Sequence, residues 1–166
     1  MPTHSHLPSH PIPRIRLDRL GLVVLLVTTA FVVLAPAGAA QAAAPSDGAD
    51  LCARVGDRAG FPRNDTLVLA VAIGLAESGC IRTAQGVNGP TQGCPNGSVD
   101  RGLWQINSCW HPEVSDRCSY RAQCNADAAY AISSGGTDFS PWVTYNAGLH
   151  LRYMDEAQAA VDRLGT

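Results

Sequence analysis

Six cysteines, at positions 52, 80, 94, 109, 118 and 124, constrain this chain more than any other feature, because all six lie beyond an export-type leader. Arg14, Arg16 and Arg19 form a basic patch, and an uncharged apolar run follows from Leu20 to Ala35. Small residues then offer cleavage sites after Ala39 or Ala42, which is the layout of a secretory signal peptide over 1–42. The alternative, a membrane anchor, fits less well, because the run is shorter than the roughly 20 apolar residues that cross a bilayer. An even number of cysteines in an exported chain reads as three disulfides, with fifteen pairings open. Cys118–Cys124 is favoured as a local staple because so short a loop closes readily. A zinc site is the competing use of these residues. It is disfavoured by the absence of a C-x-x-C pair and of ligand spacing around His111 and His150.

Beyond residue 42 the chain carries nine arginines, thirteen acids and no lysine, a formal charge of −4. A mildly acidic surface argues against nucleic acid or an anionic membrane as the main partner. About 124 residues suffice for one domain, and neither a repeat nor a second domain is apparent. Residues 43–50 read as a lead-in and 51–166 as the domain.

Leu51–Ala59 suits a short helix anchored by Cys52. Asn64-Asp65-Thr66 then supplies caps for the apolar run Leu67–Ala76, which has no polar face and so belongs at the centre of a fold. Gly79 is the expected terminator. The polar stretch after Ile81 contains Asn88-Gly89 and Asn96-Gly97, both turn signals. The segment SVDRGLWQINSCW, residues 98–110, reads as a short strand or turn running into a helix. Asn125 is a candidate cap for a further helix ended by Gly135-Gly136, and a last helix is expected from about Leu149 to Leu164. The fold class is therefore mainly α, one helical domain with a small irregular β or loop insertion, stapled by disulfides.

Glu77 closes the apolar helix, where the negative end of the helix dipole and loss of water both penalise a carboxylate. Such an acid can hold its proton near neutrality and give it to a leaving group. A second acid, Asp100, arrives from a separate segment. Two carboxyls flanking a cleft are the general requirement for breaking a glycosidic bond. Trp110 could offer a flat face to a sugar ring or simply pack, whereas core packing is the favoured role for Trp104.

Three ordered segments, Ala76-Glu77-Ser78-Gly79, Gly102-Leu103-Trp104-Gln105-Ile106 and Thr144-Tyr145-Asn146-Ala147-Gly148, resemble the signatures of lysozyme-like lytic transglycosylases. Asp100-x-Gly102-x-x-Gln105-Ile106-Asn107-Ser108 is similar to the animal-type lysozyme segment that carries a second carboxylate. Lysozyme is also the system from which the general division of labour between the two acids is taken. The resemblance implies a lysozyme-like α+β fold with Glu77 as general acid. Asp100 becomes the candidate nucleophile or cation stabiliser, and the implied glycan-binding residues are Ser78, Gln105, Asn107, Trp110, Tyr145 and Asn146. The YNAG segment is expected to set Tyr145 beside the acid. The implied activity is cleavage of the β-1,4 link between N-acetylmuramic acid and N-acetylglucosamine in peptidoglycan glycan strands, by a secreted monomer without metal or organic cofactor. Transglycosylases of this type commonly lack an acid at the Asp100 position, so hydrolysis and anhydro-sugar formation both stay open. The six cysteines also depart from an eight-cysteine lysozyme framework. A binding or regulatory protein that keeps the fold without the chemistry is the alternative.

Overall fold

The structure, a computed structural model, describes residues 47–165; the expected signal peptide and the first part of the lead-in lie outside them. Helix α1 (Asp47–Ala59) begins four residues before the expected Leu51, so the end of the lead-in is helical. Its acids Asp47 and Asp50 sit at the positive end of the dipole and Arg58 at the negative end, an arrangement that favours this earlier start. One face, carrying Ala49, Cys52, Ala53, Val55 and Gly56, is buried.

Helix α2 (Asp65–Ser78) occupies the centre. Its start is fixed by Asn64, whose side-chain oxygen accepts the Thr66 N–H at 2.8 Å, and its end by Gly79 in the left-handed conformation, φ 64°. Every residue from Leu67 to Leu75 except Leu69 is buried. Such a segment survives only when surrounded, and α1, the 3-10 turn Leu149–Tyr153 and a C-terminal helix enclose it. A Cβ on Gly74 would lie 3.1 Å from the Cys52 sulfur, 3.2 Å from that of Cys80 and 3.3 Å from the Trp104 ring. The bare backbone there lets the Cys52–Cys80 disulfide and the indole press on the helix.

The β insertion is a three-stranded antiparallel sheet in sequence order, β1 (Gln85–Asn88), β2 (Ser98–Arg101) and β3 (Ile106–Asn107). Asp100 pairs with Gly86 on one side and Asn107 on the other. The stretch 98–110 thus doubles back as a hairpin and does not run into a helix. Its turn is set by Gly102, φ 77°, where a Cβ would lie 2.1 Å from the Ser119 carbonyl and 2.6 Å from the Asn125 amide nitrogen. Only glycine allows both that backbone angle and that approach.

After α3 (Asp116–Ser119), helix α4 (Ala122–Ile132) begins four residues earlier than an Asn125 cap would place it. Asn125 is instead fully buried inside the helix. Its amide donates to Arg101 O (3.0 Å) and Ser119 O (2.9 Å) and accepts the Trp104 N–H at 2.9 Å. The hairpin turn is therefore satisfied by a helix side chain, which is why capping is not its task. Helix α5 (Val143–Asn146) is a single turn. The expected last helix is segmented, with a 3-10 turn at Leu149–Tyr153, then α6 (Met154–Asp162) and a final 3-10 turn at Arg163–Gly165. The first of these turns carries His150 inward, stacked on Tyr145 with ring centroids 5.0 Å apart.

Disulfides Cys52–Cys80, Cys94–Cys109 and Cys118–Cys124 employ all six cysteines. The result is the expected architecture, a mainly helical domain with a small sheet and three covalent staples.

Candidate active site

A cleft of about 570 Å³ runs between the sheet and the helices, lined among others by Glu77, Asp100, Gln105, Asn107, Trp110 and Thr144. Helix α2 delivers Glu77 from its last turn, where no basic residue offsets the dipole. Two indole links make that support rigid. Trp104 donates its ring N–H to Ala70 O in α2 at 2.8 Å, and Trp142 donates its own to Trp104 O at 2.9 Å. Trp104 is therefore core, as its surroundings in the sequence suggest.

The Glu77 carboxyl is held above the ordinary carboxylate range, first by loss of water on burial and then by the nearby charge of Asp100. Hydrogen bonding from Thr144 opposes both. Its hydroxyl donates to Glu77 Oε1 at 2.6 Å, and its main-chain N–H pulls in the same direction. The net direction is upward, so these surroundings favour the protonated form more than water does.

Asp100 faces the cleft from the middle strand by a different support. Asn107 donates to its Oδ1 and Asn88 to its Oδ2, each at 2.7 Å. Asn107 is itself fixed, since its side-chain oxygen accepts the N–H groups of Cys109 (2.9 Å) and Trp110 (3.2 Å). The Ser98 hydroxyl also accepts from both asparagines. This lattice sets the orientation of both amides and leaves the carboxylate with a donor on each oxygen.

Trp110 is 61% exposed on the cleft wall. Its ring lies over Gly93, where a Cβ would come within 2.7 Å of the indole, and the Cys94–Cys109 disulfide ties the two segments together. Gln105, at φ 46°, turns its amide nitrogen to Gly102 O (2.8 Å) and Ala84 O (3.3 Å), bracing the hairpin turn beneath the cleft.

Three residues expected to bind glycan do not line this cleft. The Ser78 hydroxyl is committed to Leu103 O at 2.6 Å and accepts the Ile81 N–H, tying the end of α2 to the hairpin. Tyr145 packs between Phe139 and His150. The Asn146 amide donates to Ser140 O at 2.8 Å. The residue of that segment that reaches the acid is Thr144, one position earlier than the tyrosine, on the side of the α5 turn that faces α2. Its signal in the sequence was position alone: it opens the Thr144–Gly148 motif. Asn88 was likewise visible only as a turn residue.

No curated protein and no solved structure matches this chain. A family model described as a lysozyme-like domain does match, over residues 53–144, a span that includes both acids and both walls of the cleft. Fold, cleft and match agree, and the chain belongs to the lysozyme-like domain family.

Proposed function

We propose that this protein is an exported muramidase that cleaves the β-1,4 bond between N-acetylmuramic acid and N-acetylglucosamine in peptidoglycan. The family is associated with peptidoglycan and glycan cleavage. The observation that carries the finer reading is a desolvated Glu77, its carboxyl held above the ordinary range, sharing one cleft with Asp100. Glu77 gives its proton to the glycosidic oxygen as the bond from that oxygen to C1 breaks. Positive charge develops at C1, and Asp100 offers it a fixed negative partner. Because both oxygens of Asp100 already accept amide hydrogens, electrostatic stabilisation suits it better than covalent capture. Water, or the sugar's own 6-hydroxyl, then attacks C1 while the Glu77 carboxylate takes up the proton released. Trp110 supplies a flat face for a ring. Three disulfides support action outside the cytoplasm.

Clearing of a purified peptidoglycan suspension tests this reading. Wild-type protein is expected to clear it and folded Glu77→Gln is not; a Gln variant that clears at the wild-type rate removes the assignment. Mass spectrometry of the released fragments separates the two endings, since the anhydro product is lighter by one water.

A further inference from the structure

Glu77 has two carboxyl oxygens, and the structure treats them differently. Thr144 Oγ1 donates to Oε1 at 2.6 Å, at the short end of the range for O–H···O hydrogen bonds. Among the described residues no other side chain donates to Glu77, and the Thr144 main-chain N–H adds a smaller pull toward the anion. Donor and acceptor also share one frame. Trp142, two residues before Thr144, is locked through its indole N–H to Trp104 O, and Trp104 is locked to Ala70 of the helix that carries Glu77. The Thr144 hydroxyl is thus held against one chosen oxygen.

Resting on the reading of Glu77 as the acid, we propose that Thr144 is a positioning residue whose hydroxyl occupies Oε1 and so assigns the transferable proton to Oε2. During bond cleavage the Oε2–H bond breaks and its proton passes to the glycosidic oxygen. The electron pair left behind makes a carboxylate whose charge the Thr144 hydroxyl already faces. Thr144 itself neither gains nor loses a proton. Its hydrogen bond favours the anion and so limits how far burial and Asp100 raise Glu77.

Thr144→Val removes the hydroxyl at nearly constant volume, and Thr144→Ser keeps it. Activity that needs protonated Glu77 falls as pH rises through its titration. The valine variant is therefore expected to move this alkaline limb to higher pH, with kcat on purified peptidoglycan lowered ~10-fold and half-saturation unchanged. The serine variant is expected to restore both. Carbon-13 NMR of the Glu77 side-chain carboxyl checks the same point without turnover: its midpoint should rise in the valine variant and return in the serine one. Should the valine variant fail to fold, Thr144→Ala carries the test. Superimposable pH profiles and NMR midpoints in the wild-type, Val or Ala, and Ser proteins overturn the proposal. Glu77→Gln, assayed in parallel, separates the two readings. If it is inactive while the threonine variants match wild type, only the role of Thr144 is lost. If it is fully active, both readings fall.

Discussion

The cleft has two walls built on opposite principles. Helix α2 reaches it through the apolar core, surrounded along its length, pinned by the Trp104 indole hydrogen bond to Ala70 O, which Trp142 braces in turn, and followed directly by the Cys52–Cys80 disulfide. Strand β2 reaches it from a small sheet in which Asn88, Ser98 and Asn107 form a polar lattice around Asp100. The helical wall withholds water and so raises its acid. The sheet wall supplies donors for the charge of its acid. The difference teaches how one domain can place two carboxyls in one cleft and give them different surroundings, because the environment of each is set by the element that carries it.

The largest expected effect falls on the helical wall. Glu77→Gln should reduce peptidoglycan clearing by about three orders of magnitude, or ~4 kcal/mol of barrier. The same substitution should stabilise the fold at neutral pH. In the window between the ordinary carboxyl value and the raised value of Glu77, the native state binds the extra proton. Wild-type stability therefore falls as pH rises through that window, and below it the variant's advantage disappears. Thermal unfolding of both proteins from pH 3 to 8 measures this, and parallel curves would break the contrast between the walls.

Next come the two residues that join the walls. Gly102→Ala forces a Cβ into the Ser119 carbonyl at a backbone angle that side chains resist, at a cost of about 3 kcal/mol or more. Asn125→Ala leaves the Trp104 N–H and two carbonyls without their partner, costing about 2–3 kcal/mol. Denaturant unfolding reads both. Asp100→Asn should do the least to stability while slowing cleavage by about 10- to 100-fold, if its charge stabilises the cation. An Asn variant with unchanged rate and unchanged product mass would reduce the sheet wall to a scaffold.

Much of the helical wall was legible because its signals are local. The Asn64 cap, the uninterrupted apolar run and Gly79 lie next to what they control. The sheet wall was less legible. Strand β3 has only two residues, too few for a periodic pattern. Asn125 has the composition of a cap, and its actual partners lie as far as 24 residues away in sequence. The roles of Ser78, Tyr145 and Asn146 came from resemblance, and here those side chains hold the frame. Thr144 could not be singled out from sequence, since its value depends on meeting a carboxyl 67 positions earlier.

The uneven exposure of the three tryptophans has a practical result. Trp104 and Trp142 are only 1% and 6% exposed, whereas Trp110 stands at the mouth of the cleft. Intrinsic fluorescence therefore divides into a constant background and one ring open to quenching. A saccharide settling on that ring should shift the emission to the blue, so the protein carries its own optical reporter of occupancy.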